Sequence, residues 1–193
     1  LHTWLPKAYS FSPTPTAIFL ASTATKVALY AIIRFLFSVF HSHPSMLETV
    51  LINVVMPLGI LAMFAAGGIA FYQRDLKRML AFSSVSQIGY ILLGISFMST
   101  AGLTAAVVHL FNHGISKALL FVCTGIIFLS FGSSFYKNIK GLGRRMPWTS
   151  AAFLIGGLSL IGIPGTAGFI SKWLLVQAAI EQGSWIIVAA ILI

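Results

Sequence analysis

Residues Thr49–Tyr72 read TVLINVVMPLGILAMFAAGGIAFY and contain no Asp, Glu, Lys, Arg or His. A helix of about 20 apolar residues is long enough to cross the hydrocarbon core of a bilayer. This stretch exceeds that length, and it lacks the period-two alternation of a strand in a porin-like barrel. It therefore predicts a membrane-spanning α-helix.

The composition of the whole chain predicts an all-α, polytopic transmembrane helix bundle. Of 193 residues, 58% are hydrophobic and 8% are charged, whereas soluble domains have about 25% charged residues. A soluble globular class is therefore excluded, and residues 1–193 are interpreted as one transmembrane domain. Because the chain opens without Met and stops inside an apolar run, we expect a fragment with partial helices at both ends. The hydropathy pattern predicts five full spans: Thr14–Phe37, Thr49–Tyr72, Met79–Phe97, Ala101–Phe131 and Pro147–Ile180.

Among the loops between these spans, Lys and Arg occur on one side only. The loops around His41–Glu48, Ser99–Thr100 and Glu181–Gly183 contain no Lys or Arg. Cytoplasmic loops carry the excess of Lys and Arg in membrane proteins, so we place the basic loops in the cytoplasm and His41–Glu48 outside. This orientation accounts for the net charge of +9 without a nucleic-acid partner. The basic set is Lys7, Arg74, Lys77, Arg78, Lys137, Lys140, Arg144 and Arg145.

Three lysines, Lys26, Lys117 and Lys172, lie deep inside predicted spans. A lysine at bilayer depth costs about 2.5–3.5 kcal/mol on insertion scales and is tolerated mainly inside a bundle or a wet cavity. Burial disfavours the charged form of an amine, which makes proton exchange easier. The three lysines therefore predict a proton relay. The alternative for any one of them is a structural lysine bonded to backbone carbonyls.

His109, His113 and Lys117 follow one another at intervals of four residues. On a helix this spacing forms a ladder along one face, with steps of roughly 5–6 Å that one water can bridge. Histidine titrates closest to neutral pH, so the ladder is interpreted as a proton wire that ends at Lys117. Two other interpretations stay open: core histidines bonded to carbonyls, and a metal or haem site, which the charge of Lys117 disfavours.

The fifth predicted span contains Gly162-Ile-Pro164-Gly165 at its centre. Proline removes a backbone hydrogen bond and glycine loosens the turn, so we predict a helix break at Pro164 and Gly165. Unwound backbone at membrane depth marks ion sites in transporters, and Lys172 follows eight residues after Pro164. The alternative is a simple proline kink.

The third span and the loop before it carry further polar groups. We expect Asp75 to pair with Arg74 or Arg78. Lys77 either anchors the helix at the lipid headgroups or marks a proton entrance. Packing between helices is the expected role of the neutral polar side chains Ser83, Ser84, Ser86 and Gln87.

The chain shows no catalytic centre of its own. Its single cysteine, Cys123, permits no internal disulfide and no multi-cysteine zinc or iron–sulfur site. The sequence has no phosphate-binding loop, no nucleophile elbow and no pair of intramembrane aspartates. We therefore predict no catalytic residue, no metal site and no cofactor bound by this chain.

Five ordered motifs resemble one membrane protein family over nearly the whole chain. They are Leu1-His-Thr-Trp-Leu-Pro6 with Ser12-Pro-Thr-Pro15, Ala24-Thr-Lys26-Val, Arg74-Asp-Leu-Lys-Arg-Met-Leu-Ala-Phe-Ser-Ser-Val-Ser-Gln-Ile-Gly-Tyr90, His109-Leu-Phe-Asn-His113 with Lys117-Ala-Leu-Leu-Phe121, and Gly168-Phe-Ile-Ser-Lys172. They are similar to those of the antiporter-like proton-translocating subunits shared by respiratory complex I and Mrp-type cation/proton antiporters.

The resemblance implies a place for this chain in a longer subunit. It would begin within a broken seventh helix and contain helices eight to twelve, the second of two inverted repeats, plus the start of helix thirteen. Lys26, Lys117 and Lys172 match the family's lysines on helices eight, eleven and twelve. The family's glutamate on helix five and lysine on helix seven would lie upstream of Leu1. Lys7 stands where complex I members usually have Asp, which favours the Mrp branch modestly.

The resemblance also implies partners and a location. Other membrane subunits would surround the chain in a bacterial or archaeal cell membrane, with protons and, in an Mrp complex, Na⁺ as the transported ions. In a complex I-like assembly, NADH, flavin, iron–sulfur clusters and quinone would belong to other subunits. Two further classes stay open: a secondary carrier that binds an organic anion at Lys172, and a structural membrane subunit with relict lysines.

Overall fold

The computed structural model of the protein describes residues 4–39 and 44–192. These residues are helical apart from the connecting loops and one isolated bridge between two of those loops. The elements are α1 (Trp4–Phe11), α2 (Thr14–Val39), α3 (Ser45–Phe71), α4 (Leu76–Ser96), α5 (Thr100–Phe131), α6 (Leu142–Arg145), α7 (Pro147–Ile161), α8 (Ala167–Glu181) and α9 (Trp185–Leu192).

The helical segments match the predicted spans. Within the described residues, α2, α3, α4 and α5 are each long and apolar enough to cross a membrane. The fifth predicted span is the pair α7 and α8. The predicted boundaries differ from the observed ones by a few residues; α4, for example, begins at Leu76 instead of Met79. Part of the predicted outer loop, residues 41–43, lies outside the described residues, as do residues 1–3 of the first motif.

The break in the fifth span lies where the sequence predicts it. Helix α7 ends at Ile161, and Gly162 follows with a φ of 87° in the left-handed region. Gly165 has a φ of 93°, and α8 begins at Ala167. Pro164 lies between the two glycines. Glycine has no side chain and adopts this left-handed backbone at little cost. The two glycines therefore let the chain change direction twice between α7 and α8.

Helix α4 lies at the centre of the bundle, and glycines let its neighbours approach closely. A Cβ placed on Gly89 of α4 would lie 2.5 Å from the carbonyl oxygen of Gly59 on α3. A Cβ placed on Gly102 of α5 would lie 2.6 Å from the carbonyl oxygen of Gly94 on α4. Small residues at such contacts are the common way in which membrane helices pack. Both contacts bring backbone against backbone, so they fix the position of α4 between α3 and α5.

Two helices contain a π-helical turn that the sequence analysis did not predict. In α3 the turn is Leu51–Val55, just before Pro57. Proline has no N–H to donate to the carbonyl four residues earlier, which explains the widened turn. In α2 the turn is Leu20–Ala24. There the Thr23 hydroxyl donates to the Phe19 carbonyl over 2.6 Å, a local bond that competes with the regular helix pattern.

The two predicted basic loops are joined by backbone hydrogen bonds. The Leu76 amide donates to the Ser134 carbonyl over 3.0 Å, and the Tyr136 amide donates to the Arg74 carbonyl over 3.1 Å. The loop before α4 and the loop after α5 therefore lie at the same end of the bundle. This agrees with the predicted topology, in which both loops share one side of the membrane.

The expected pairing of Asp75 with an arginine is wrong. The Asp75 carboxylate accepts from the backbone amide of Arg78 over 3.3 Å, as the N-cap of α4, and from the Ser134 hydroxyl. Capping amides and hydroxyls satisfy a carboxylate without a basic side chain. Burial raises the pKa of the nearby Tyr136, and the Asp75 charge raises it further. Asp75 thus caps α4 and joins the loop before α4 to the loop after α5 through its bond to Ser134.

Candidate functional site

Helix α5 carries three of the five residues of the candidate site. His109, His113 and Lys117 are all buried, and they follow one another along its inner side. The predicted ladder is therefore present as one face of a continuous helix. The three side chains differ in their hydrogen-bond partners, and these partners decide what each group can do.

His109 is held by hydrogen bonds on both sides of its ring. Its Nε2 lies 2.9 Å from Oε1 of Gln87 on α4, and its Nδ1 lies 2.9 Å from Oγ of Ser171 on α8. The carbonyl oxygen of Gln87 only accepts, so Nε2 carries a hydrogen whether the ring is neutral or charged.

Ser171 adapts to both charge states of His109. When the ring is neutral, the Ser171 hydroxyl donates to Nδ1. When the ring is charged, the Ser171 oxygen accepts from Nδ1, and its hydrogen turns to the Gly168 carbonyl, 3.0 Å away. A hydroxyl rotates freely to suit its partners. His109 can therefore gain and lose a proton without leaving a buried polar atom unpaired.

His113 stacks on His109 but has a different environment. The two ring centroids are 6.2 Å apart with 9° between the planes. Among the described residues, neither ring nitrogen of His113 has a hydrogen-bond partner. Buried polar groups without partners are rare in proteins because they are costly. A cavity of about 10 Å³ beside the ring is lined by Ser116 and Ser159 among others, which is about the room that one water needs.

Lys117 is fully buried and bonds to α4. Its Nζ donates to the Leu80 carbonyl over 2.7 Å and to the Ser83 hydroxyl over 2.5 Å. The amine therefore points across to the neighbouring helix. The ladder is not a continuous row of hydrogen bonds, because the step from His113 to Lys117 has no direct bond.

Lys26 is buried on α2 directly after the π-helical turn. Its Nζ donates to the Ala21 carbonyl and to the Thr25 hydroxyl, the latter over 3.3 Å. The side chain runs against α5, because a Cβ on Gly114 would lie 3.8 Å from Cε of Lys26. Gly114 is next to His113 in sequence, so Lys26 reaches the ladder at its middle. Bonding of Lys26 and Lys117 to carbonyls is also what a structural lysine would show.

Lys172 lies beside the helix break and faces a cavity. Its Nζ lies 4.6 Å from the centre of the Tyr90 ring, and its Cδ would lie 2.9 Å from a Cβ on Gly162. The cavity, of about 520 Å³, is also lined by Ser83 and Gln87, the partners of Lys117 and His109. One space therefore connects the surroundings of all three groups.

The five predicted relay residues lie close to one another. The Lys26 side chain lies against Gly114, next to His113, and His113 stacks on His109. Lys117 follows His113 by about one turn of α5, and Lys172 lies over Tyr90, whose ring centre is 5.8 Å from that of His109. The structure therefore brings together the five residues Lys26, His109, His113, Lys117 and Lys172, which come from α2, α5 and α8.

Side chains of α5 also hold both halves of the broken helix. The Ser116 hydroxyl lies 3.2 Å from that of Ser159 at the end of α7. The Asn112 side chain donates to the Ala167 carbonyl at the start of α8 over 2.8 Å. Sequence reasoning missed these contacts. The signal was present, because residues 112 and 116 lie on the helix face that carries the ladder.

The polar groups of α4, for which packing between helices is predicted, make different kinds of contact. Ser84 bonds to the Leu80 carbonyl of its own helix, and Ser86 bonds to Met63 of α3. Ser83 and Gln87, however, are the partners of Lys117 and His109. Positions 83 and 87, one helical turn apart, thus face α5, whereas position 86 faces α3.

Lys77 is buried at the start of α4. Its Nζ lies 4.8 Å from the centre of the Phe128 ring on α5, so the side chain packs on a neighbouring helix and does not reach out to headgroups. A cation over an aromatic face is a stabilising contact. Whether Lys77 is also a proton entrance stays a prediction.

The match to known proteins covers the entire chain. The model of the NADH:quinone oxidoreductase/Mrp antiporter transmembrane family matches residues 1–193. The chain belongs to this family. Membership confirms the resemblance drawn from the five motifs, and with it the multi-pass membrane location and the helical membrane fold.

Individual members of the family give the degree of similarity. The NADH-quinone oxidoreductase subunit N of Desulforudis audaxviator is 39% identical over 100% of this chain and 38% of its own length. A chain in the structure of the Mrp complex from Dietzia sp. DQ12-45-1b has a TM-score of 0.92 at 32% identity, over 99% of this chain and 35% of that chain. A chain of the membrane-bound sulfane sulfur reductase, an archaeal respiratory membrane complex, has a TM-score of 0.83 at 34% identity, over 98% and 38%.

The chain therefore spans well under half the length of the relatives that it matches. All three relatives belong to membrane assemblies of several subunits by name. Members of the NADH-quinone oxidoreductase and Mrp branches are both similar to this chain, so the modest preference for the Mrp branch drawn from Lys7 stays a prediction.

Proposed function

We propose that this chain forms the second half of a proton-translocating membrane subunit in an assembly of the complex I or Mrp type. The observation that supports the proposal is the convergence of five basic groups from α2, α5 and α8 on one connected region, four of them buried and Lys172 half-buried. Lysine inside a membrane is rare and costly unless it has a function. Three such lysines around a pair of stacked histidines are therefore more than packing requires.

The geometry supports a sequence of proton transfers along the site. A proton on Lys26 is close to His113, whose unprotonated ring nitrogen can accept it, since neither ring nitrogen has a hydrogen-bond partner among the described residues. Lys117 receives the proton next and shares it with the Ser83 hydroxyl. The cavity between Ser83 and Lys172 has room for a chain of waters. Lys172 then releases the proton on the far side of the helix break. His109, with partners in both charge states, can buffer the Lys172 end.

The two branches of the family differ in what drives this movement. In a complex I-like assembly, quinone reduction in other subunits would supply the energy. In an Mrp assembly, proton entry would be exchanged for Na⁺ efflux. We place any NADH, flavin, iron–sulfur cluster or quinone in other subunits, because Cys123 is the single cysteine of the chain and cluster sites need several. A dependence of proton movement on Na⁺ would assign the Mrp branch.

One observation favours a second candidate, a secondary carrier for an organic anion. The cavity of about 520 Å³ is lined by Phe153, Phe169 and Trp173 besides Lys172. Small-molecule sites are typically about 300–1,000 Å³, mostly apolar, with a few placed polar groups. An anion with an apolar body would fit this description. A carrier would move a labelled organic anion without net proton flux, which the proton relay would not do.

The test uses lysine variants of the full-length subunit in its native complex. We expect Lys117→Ala and Lys172→Met to abolish proton transport in membrane vesicles, whereas Lys137→Ala, on the exposed loop, leaves it intact. Lys117→Arg should also fail, because arginine stays protonated and cannot pass a proton on. Lys77→Gln compared with Arg78→Gln tests the proposed entrance, since only Lys77 is buried.

Assembly of each complex is checked separately on native gels. Near-wild-type transport in assembled Lys117→Ala and Lys117→Arg complexes would refute the role of Lys117. Transport that survives in every lysine variant would instead support the structural-subunit interpretation of this chain.

A further inference from the structure

The contacts of Lys172, which is half-buried, differ in kind from those of the buried relay lysines Lys26 and Lys117. Lys26 and Lys117 donate hydrogen bonds to backbone carbonyls and hydroxyls. The amine of Lys172 instead lies over the face of the Tyr90 ring, 4.6 Å from its centre. A carbonyl accepts a hydrogen bond from a charged or a neutral amine, but a ring face attracts chiefly the cation. The Tyr90 contact therefore depends on the charge of Lys172.

Tyr90 occupies a buried position between His109 and Lys172. Its ring centre is 5.8 Å from that of His109, and it follows Gln87 by nearly one turn of α4. The aliphatic part of Lys172 passes Gly162, which has no side chain to obstruct it. Lys172 is thus guided between the glycine of the helix break and the Tyr90 ring.

A second place for the Lys172 amine exists within reach. The residue lines the cavity of about 520 Å³ whose other polar lining residues include Ser83 and Gln87. These groups offer hydrogen-bond acceptors to a neutral amine. The chain therefore provides a site that prefers the cation and a space that suits the neutral form.

We infer that Tyr90 is a charge-sensitive positioning residue for Lys172, an inference that rests on the proposed function. The ring holds the protonated ammonium beside His109. When the ammonium gives its proton to a water or to a neighbouring base, the neutral amine loses the attraction of the ring and moves into the cavity. There it takes a proton that arrives from the Lys117 side, and the new cation returns to Tyr90. The ring thus separates the step of receiving a proton from the step of releasing it.

The experiment changes the electron density of the ring while keeping its shape. Tyr90→Phe and a series of Tyr90→fluorophenylalanine variants with increasing fluorination are made in the full-length subunit within its complex. A desolvated cation–π contact shifts an equilibrium by about 30-fold. Tyr90→Phe, which keeps the ring face, is the unfluorinated reference with which the other variants are compared. The rate should then fall stepwise with fluorination, by about 10-fold to 30-fold over the series.

The matched control applies the same fluorination series at Phe121. This residue is also buried, and it packs edge-on against Tyr9, with 5.3 Å between ring centres. Among the described residues, no lysine amine lies over its face. A flat series at position 90, or an equal decline at positions 90 and 121, would overturn the role of Tyr90. Lys172→Met distinguishes failure of the proton relay from failure of the positioning role of Tyr90. If that variant is inactive and the Tyr90 series is flat, the relay is supported and only the positioning role is refuted. If Lys172→Met is active, the proposed function fails at this residue.

Discussion

Replacing Gly162 by alanine tests whether the shape of the helix break controls Lys172. Gly162 has a φ of 87°, and Gly165 has a φ of 93°. An alanine in left-handed backbone costs about 1–2 kcal/mol at either position. A Cβ at Gly162 would lie 2.9 Å from Cδ of Lys172, whereas a Cβ at Gly165 would have no neighbour within 4 Å. The two variants therefore share the backbone strain, and only one displaces the lysine.

The expected loss of transport rate follows from the distance that the Lys172 side chain has to move. Ordinary Cβ contacts begin at 3.4 Å, so the Lys172 side chain has to move by about 0.5 Å away from position 162. A misplacement of 1 Å in a positioned reactive group costs on the order of 100-fold in rate. We therefore expect Gly162→Ala to slow proton transport by about tenfold. Gly165→Ala should keep a rate close to that of the wild type.

The assay measures proton transport in vesicles with a pH-sensitive dye, using the full-length subunit in its assembled complex. Thermal unfolding of both variants is recorded in parallel, and we expect similar losses of stability. Equal transport rates in Gly162→Ala and Gly165→Ala, with equal stability, would refute the claim that the Gly162 turn positions Lys172.

Two further predictions concern the loops. Cysteines introduced at Ser133 and Ser42 should react with impermeant reagents from opposite sides of the membrane, the one at position 133 from the cytoplasm. Reaction at position 42 only from the cytoplasm would show that the predicted orientation or the number of spans is wrong. Asp75→Ala should lower the free energy of unfolding by about 1 kcal/mol through loss of the α4 N-cap and expose residues 132–141 to proteolysis. Asp75→Asn, which retains a capping oxygen, should protect that loop in the same proteolysis assay, and equal cleavage of both variants would contradict the capping role.

The sequence predicted the features that depend on local pattern. Long apolar runs identify spans because a helix inside lipid has to satisfy its own backbone. Gly162, Pro164 and Gly165 act on the backbone within one or two turns, so the break also follows from local chemistry. The spacing of His109, His113 and Lys117 requires only the pitch of a helix. Each of these predictions needs no knowledge of neighbouring helices.

The partners of the ladder could not be predicted in the same way. Gln87 meets His109, and Ser83 meets Lys117, because α4 is rotated to present those positions to α5. In a soluble helix the apolar stripe reveals that rotation. Helix α4 is apolar on most sides, so its sequence does not distinguish the positions that face lipid from those that face other helices. Tyr90 was missed for the same reason. The role of its ring depends on the contact with Lys172, which lies on α8, far along the chain.

The π-helical turn at Leu20–Ala24 determines the direction in which Lys26 points. A regular helix advances by about 100° per residue, and a π-helical turn accommodates one additional residue. Every side chain after the turn is therefore rotated by about that angle relative to an uninterrupted helix. With a regular turn, the amine of Lys26 would swing away from α5 and towards the outer surface of α2. Removal of a single residue from positions 20–24 would thus turn a buried cation outwards while the span stayed long and apolar enough to cross a membrane.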